Sequence, residues 1–442
     1  MEKLIQFVNE NLGSDTSRLI LDRAKYPDID MDLAVNCIES RRKLKGKVQE
    51  WYDTPGLVFP LKLSAEQCSS SATGRYKAEL AEIIIGKKSE WTLADLTGGL
   101  GVDSWFFSQK ASKVAYFEMK EALCHAAKHN FRMLNAENIT VNNLEISKES
   151  CAALETVRPD IIYMDPARRG EGGKKVFLIE ECTPDVLGLR DELFKYAGHL
   201  LIKLSPMADI SMVCERLGST CREVHVVAAG GECKELLIWM DKTWQGEYST
   251  VAIELHNDSI SSAFRFWSSE ESGANWQDSG VDMPPPARGR ERLGKWSSGP
   301  LQRAASIDRA GVNGATCQFA AYIFEPGKAM MKSGCFNLIA SRFAISKLGK
   351  STHYYVTDSA EKAQTLKMYG KVFQIMDVLP LDKRSIKEIG KKYPKAEVTA
   401  RNIPMDTETL RKKLGVTSGD DAHIFGLKSD TEGNLLIAAQ RE

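Results

Sequence analysis

The sequence predicts an α/β protein: a mainly parallel sheet with helices before it and small α+β units after it. Three observations carry this. Short apolar runs alternate with amphipathic stretches from about residue 63 to 243. The runs are Thr92–Asp95, Lys113–Phe117, Ile139–Val141, Asp160–Met164, His199–Lys203, Val224–Ala228 and Leu236–Met240. Seven such runs with helical spacers imply βαβ units. Ahead of them, Leu4, Phe7 and Val8, then Leu33 and Ile38, recur at helical spacing until Pro55 and Pro60 interrupt. Behind them, helix and strand patterns resume after residue 328.

The elements follow in order. Residues 1–62 form an N-terminal helical domain. Residues 63–243 form the sheet domain, and its last two runs lie close enough for an antiparallel hairpin at one sheet edge. Residues 244–327 are a linker or insertion with one clear strand, Val251–Leu255; within it Ser268–Pro300 is rich in Ser, Gly, Pro and Arg. Residues 328–394 hold a helix at Asn337–Leu348, strands at His353–Val356 and Val372–Met376, and a helix from Asp382. Residues 395–442 hold a strand at Glu397–Ala400, a helix at Thr407–Leu414, and strands at His423–Leu427 and Leu435–Ala439.

Bulk properties exclude several classes. No apolar run approaches the roughly 18 residues that span a bilayer. The N-terminus has no apolar core with a small-residue cleavage site, so a cytoplasmic protein is expected. The ten cysteines are scattered with no C-x-x-C pair, so no metal site is expected. Lys+Arg and Asp+Glu both number 59, which argues against a chain that coats nucleic acid nonspecifically. The balance is uneven, however. Residues 328–394 carry 13 basic against 5 acidic residues, which points to a phosphate-bearing partner. Residues 395–442 are nearly balanced, with 7 against 8.

Chemistry concentrates at strand ends. Asp95-Leu-Thr97-Gly98-Gly99-Leu-Gly101-Val-Asp103 follows the first strand and opens a helix. Glycines let the backbone approach a ligand, and a helix start offers free N–H groups. Taken alone, such a loop is also an ordinary turn or a nucleotide loop. No Lys-Ser/Thr follows, so it is not a P-loop, and Asp95 suits the ammonium of an amino-acid moiety. Glu118 ends the second strand, where doubly wound sheets hold ribose hydroxyls. A dinucleotide dehydrogenase shares that geometry, but the glycines here are not in the G-x-G-x-x-G register. Asn143, after the third strand, is a candidate for an adenine amino group or a plain turn residue. Asp165-Pro166-Ala-Arg168 ends the fourth strand and places a carboxylate on a rigid turn at the ligand crevice. Asp165 could accept hydrogen bonds from an amine or act as a base. Gly170–Lys175 reads as a basic flap. Gln67, in the Ser64–Thr73 stretch, could line a carboxylate site, or the stretch could simply cap a helix at Tyr76–Ile84. His125 and His129 share a helix face but lack a third ligand. Tyr116 and Trp239 read as core.

Together, Asp-x-Thr-Gly-Gly-x-Gly, the strand-end Glu118 and Asp-Pro-Ala-Arg resemble the motifs of Rossmann-like, seven-stranded class I methyltransferases. That resemblance implies S-adenosyl-L-methionine as cofactor. Asp95, Thr97, Gly98, Gly99, Gly101, Asp103, Glu118, Asn143, Asp165 and Gln67 then hold it, and Asp165, Pro166, Arg168 and Lys203 serve catalysis. Asp-Pro-Ala-Arg is similar to the motif of rRNA uracil-C5 methyltransferases. Those enzymes carry a cysteine after the next strand, where this chain has Lys203-Leu-Ser205-Pro206. Without a thiolate there is no nucleophile for pyrimidine C6. Arg168 also replaces the aromatic of amino-methyltransferases. Asp165, Lys203 and Glu235 resemble, loosely, the Lys/Asp group of ribose 2′-O methyltransferases. Further on, Tyr322–Gly334, His353–Asp358 and Arg401-Asn402-Ile-Pro404 through Gly415 resemble bacterial methyltransferases that end in ferredoxin-like and THUMP-like domains. RNA binding is implied, through residues 328–394 and the THUMP-like domain. N-methylation of an RNA base is the expected reaction. The alternatives are a small-molecule or protein methyltransferase, and an inactive RNA-binding protein that keeps the fold.

Overall fold

A computed structural model of the chain describes residues 1–168, 179–274 and 321–442. The Gly170–Lys175 flap and residues 275–300 of the Ser268–Pro300 stretch lie outside the described residues. The chain divides into two compact units, residues 1–267 and 268–442.

The first unit opens with helices α1 (Glu2–Glu10), α2 (Thr16–Leu21), α3 (Met31–Leu44), α4 (Gln49–Tyr52), α5 (Lys62–Gln67) and α6 (Ser71–Ile85). Local chemistry sets their starts. Asp15 and Asp30 accept backbone N–H groups at the starts of α2 and α3, and Ser70 forms a capping box with Thr73 at α6. The sheet strands are β1 (Thr92–Asp95), β2 (Lys113–Glu118), β3 (Ile139–Asn143), β4 (Ile161–Met164), β5 (His199–Leu204), β6 (Cys221–Ala229), β7 (Glu232–Asp241), β8 (Ser249–His256) and β9 (Ser259–Trp267). Helices α7 (Val102–Ser108) and α8 (Glu121–Met133) follow β1 and β2. Strand order is β9-β8-β6-β7-β5-β4-β1-β2-β3. Strands β1 to β5 pair in parallel, and β7 runs antiparallel between β5 and β6. The fold class is the one the motifs implied.

One expectation needs correction. The β6–β7 hairpin is not at the sheet edge. Strand β8 pairs in parallel with β6, and β9 adds antiparallel to β8, so two strands from the supposed insertion extend the sheet. Residues Asn257 and Asp258, both with positive φ, make the tight β8–β9 turn.

The N-terminal helices share one hydrophobic core with the sheet, running from Leu4 to Leu255. Trp51 meets Trp105 of α7 edge to face, with ring centroids 6.3 Å apart. The buried Asn130 amide both donates to and accepts from the Val58 backbone at 2.8 Å. His129 reaches the Gly56 carbonyl at 2.8 Å, so its role is to tie α8 to the N-terminal segment. Tyr116 and Trp239 are buried.

The second unit is built on strands β10 (Tyr322–Pro326), β11 (Ser346–Lys347), β12 (Tyr355–Thr357), β13 (Gly370–Pro380), β14 (Lys395–Arg401), β15 (Thr417–Ser429) and β16 (Gly433–Arg441). Their order is β11-β12-β10-β13-β16-β15-β14. One pair, β14 with β15, is parallel. The helix expected at Asn337–Leu348 spans Phe336–Phe343 instead. Ala344 takes a left-handed conformation that ends it, and Ser346 and Lys347 turn back to pair with β12. Two helices, Lys383–Lys392 and Thr407–Leu414, cover one sheet face. Ile386, Ile389, Leu410 and Leu414 pack there against Val398, Ile424, Leu436 and Ala438.

Candidate active site

A cleft of about 280 Å³ opens at the carboxyl ends of β1, β2 and β4. That is where open α/β sheets bind ligands. Its walls include Gln67, Asp95, Thr97, the 98–101 loop, Asp103, Glu118 and Asp165. Residues far apart in sequence meet here because three parallel strands end side by side.

The glycine loop is shaped by its surroundings. A Cβ at Gly98 would sit 2.2 Å from the Tyr116 ring, and one at Gly101 2.7 Å from the Phe131 ring. Gly101 also has φ +94°, a conformation that side chains other than glycine's rarely adopt. The loop is fastened from β2. Gly98 donates to the Phe117 carbonyl at 2.8 Å, and the Tyr116 hydroxyl donates to the Gly99 carbonyl at 2.6 Å. The cradle therefore presents bare backbone.

Glu118 ties loop to strand end. Its carboxylate accepts from the Gly99 N–H at 3.0 Å and from the Lys120 N–H at 2.8 Å. Both donors are single backbone groups, which leaves acceptor capacity for a ligand hydroxyl. Asn143 is placed differently. It is exposed, its amide donates to the Glu118 and Met119 carbonyls, and it does not line the cleft. Glu145 and Ile146, just beyond, do.

Asp95 is buried, and both its oxygens have partners. It accepts from the Thr97 N–H at 3.1 Å and from the Ser104 hydroxyl at 2.6 Å. Burial nevertheless lifts its carboxyl to about 7, against the lowering effect of those bonds. The folded chain thus holds a proton that the unfolded chain has released above its ordinary carboxylate range. By linkage, this group makes stability fall as pH rises from about 4 to 7. Asp95→Asn should flatten that part of the curve. Its melting temperature relative to wild type should climb across this range. A difference independent of pH would mean that Asp95 is ionised throughout.

Asp103, at the start of α7, accepts from the Ser69 hydroxyl at 3.0 Å and the Tyr163 hydroxyl at 2.8 Å. Its other oxygen lies 3.3 Å from the fully buried Lys77 ammonium. Burial pushes its carboxyl upward, but Lys77 and Lys203 outweigh this and hold it below the usual range. The Ser64–Thr73 stretch both lines the cleft and caps a helix. Ser64, Gln67, Cys68 and Ser69 line the cleft, while Ser70 caps α6.

Asp165 sits at the mouth, with Pro166 buried behind it. Its N–H donates to the Thr97 hydroxyl at 2.6 Å, which locks the β4 turn to the glycine loop. Its carboxylate accepts from Lys203 at 2.6 Å. Burial disfavours the Lys203 charge, but Asp165, Asp103 and Glu235 overcome it and hold its pKa above the ordinary lysine value. Lys203 is therefore a cation here, not a base. Arg168 pairs through its backbone with Cys182 in a short ribbon; its side chain lies outside the described residues.

Lys77, Tyr163 and Ser104 were not legible as site residues. For Lys77 a signal existed. Tyr76-Lys77-Ala-Glu-Leu-Ala81 puts a lysine in register with Ala81 and Ile84 on the apolar stripe of α6. Among the described residues, no three His, Cys, Asp or Glu side chains gather as a metal site, and no helix is long and apolar enough to cross a membrane.

Residues 322–363 match a ferredoxin-like domain, and residues 370–441 match a THUMP-like domain. A crystal structure from Porphyromonas gingivalis W83, described as a candidate methyltransferase, is similar along 99% of this chain and 97% of that one. The identity is 27% and the TM-score 0.79. A Clostridium acetobutylicum protein, described as an uncharacterised RNA methyltransferase, is 29% identical over 133 residues. The match covers 30% of this chain and spans only 28% of that relative's length.

Proposed function

We propose that this chain, a class I methyltransferase fold ending in ferredoxin-like and THUMP-like domains, is an S-adenosylmethionine-dependent methyltransferase that modifies a base nitrogen in RNA. One observation carries the reading. A bare glycine cradle, a ribose-type carboxylate and a carboxylate on a rigid turn converge on one cleft. The residues fit the cofactor. Side chains at Gly98 and Gly101 would strike the Tyr116 and Phe131 rings behind the loop and displace it, and Glu118 retains acceptor capacity.

When bound, S-adenosylmethionine supplies an electrophilic methyl group on a sulfonium. The 98–101 loop, Thr97, Asp103 and Gln67 would hold its amino-acid end, beside Asp95, and Glu118 its ribose. Asp165 accepts a hydrogen bond from the target N–H, so orients the nitrogen, and takes the proton that methylation releases. Pro166 stiffens that turn, and Lys203 keeps the Asp165 carboxylate from swinging away. Positioning supplies most of the catalysis in such an arrangement. The Asp165–Lys203 contact also favours a second reading, methylation of a ribose 2′-oxygen. A lysine held as a cation cannot take the hydroxyl proton, so the base reading is preferred.

Glu118→Gln tests the cofactor end. Losing a hydrogen bond to a charged group costs about 1.5–3 kcal/mol, or roughly 10- to 100-fold in affinity. Calorimetry with S-adenosylmethionine should show this weakening, and an unchanged affinity would remove Glu118 from the site.

The RNA reading rests on the basic segment. Arg342, Lys367, Lys371 and Lys392 are paired with Glu270, Glu442, Glu325 and Asp377. The helix at Lys383–Lys392 keeps Lys383, Arg384, Lys387 and Lys391 exposed on its outer face. Reversing Lys383, Lys387 and Lys391 to glutamate should weaken RNA binding at least tenfold at low salt. It should also flatten the salt dependence. Binding indifferent to both salt and these changes would move the interface elsewhere.

A further inference from the structure

Beneath the cleft lies a buried charge cluster whose central member has no role in the scheme above. The Lys77 ammonium is wholly buried. It donates to both oxygens of Glu235, at 2.8 and 3.1 Å, and to the Ser69 hydroxyl at 2.9 Å. It also lies 3.3 Å from Asp103. Glu235 is itself buried, at 2% exposure. A lone ammonium or carboxylate at such depth is costly, so each member depends on the others.

Lys203 faces the same carboxylates. In the antiparallel β5–β7 pair, Lys203 lies opposite Leu237. Glu235 is two residues along β7 and therefore on the same sheet face, a diagonal neighbour within reach of long side chains. The Asp103 and Glu235 charges both act on Lys203. Lys203 thus feels the charge of three carboxylates, yet its ammonium sits on Asp165 at 2.6 Å. Lys77 occupies the other two.

We infer that Lys77 is a positioning residue: by neutralising Glu235 and Asp103 it leaves Lys203 free to hold the Asp165 carboxylate at the mouth of the cleft. The inference rests on the proposed methyltransferase reading. Without Lys77, the buried Glu235 and the partly buried Asp103 would compete for Lys203 and draw it off Asp165. Removing the Glu235 charge together with Lys77 would leave Asp103 as the single competitor, and Asp103 is also held by the Ser69 and Tyr163 hydroxyls.

The test uses the full chain, methyl-labelled S-adenosylmethionine and total RNA from cells lacking the protein. Lys77→Met should lower label transfer at saturating cofactor at least tenfold, and shift its pH profile. Cofactor affinity by calorimetry should change less than the rate does. The double variant Lys77→Met with Glu235→Gln should regain most of the transfer. A general loss of folding would lower rate and affinity together, and adding Glu235→Gln would not repair it. Melting temperatures of all three proteins accompany the rates. Wild-type transfer with an equally active Lys77→Met, or a double variant no better than the single, overturns the inference alone. A wild-type chain that neither binds the cofactor nor transfers label overturns the methyltransferase reading and this inference with it.

Discussion

Gly98→Ala should abolish measurable S-adenosylmethionine binding while leaving the chain folded. The new Cβ would lie 2.2 and 2.4 Å from two Tyr116 ring carbons. That ring has nowhere to go: it is fully buried, and its hydroxyl is committed to the Gly99 carbonyl at 2.6 Å. The loop must yield instead. Its movement breaks the Gly98–Phe117 bond and pulls the Gly99 N–H off Glu118, so the cradle and the proposed ribose contact are lost together. We expect at least a 100-fold loss of affinity by calorimetry. The hydrophobic core elsewhere is untouched, so a cooperative melting transition should persist. Affinity within a few-fold of wild type would mean that the 98–101 loop does not form the cofactor site.

Asp165→Asn should have the opposite profile. Cofactor affinity should stay within a few-fold, while methyl transfer falls by roughly 10²- to 10⁴-fold, the range for losing a positioned proton acceptor. The amide keeps the shape of the carboxylate but lacks its charge, so Lys203 loses its nearest partner at 2.6 Å. Lys203 still faces Asp103 and Glu235, and Asp165 is 38% exposed. The stability cost should therefore be well below that of breaking a fully buried pair. Single-turnover transfer with labelled cofactor reads the rate. If transfer survives intact, Asp165 does not touch the acceptor.

Much of the site was legible because strand ends are marked locally. Asp95, Gly98, Gly101, Glu118 and Asp165 each follow an apolar run, and the parallel order of β1, β2 and β4 gathers them. Strand β1 matches its expected bounds, Thr92–Asp95. Strand β9 was missed although Phe264 and Phe266 alternate with exposed residues and the Asn257-Asp258 turn precedes them. Arg265 and Trp267 on the outward positions, and the serines before them, obscured the pattern. The charge cluster was harder still. Lys77 could be flagged as a lysine on an apolar stripe, but its partner Glu235 lies 158 residues away. No local spacing links them; only the placement of α6 against β7 does. Asn143 shows the converse. It ends β3, as a ligand contact would require, yet its amide goes to the Glu118 and Met119 carbonyls and it does not line the cleft.

Methyl transfer from S-adenosylmethionine to RNA is read by incubating the full chain with methyl-labelled cofactor and total RNA from cells lacking the protein, then resolving the nucleosides by mass spectrometry. One labelled nucleoside is expected, with the methyl on a base nitrogen, absent when Asp165→Asn replaces the wild type. Label confined to protein or small molecules, or no transfer at all, would contradict RNA methylation.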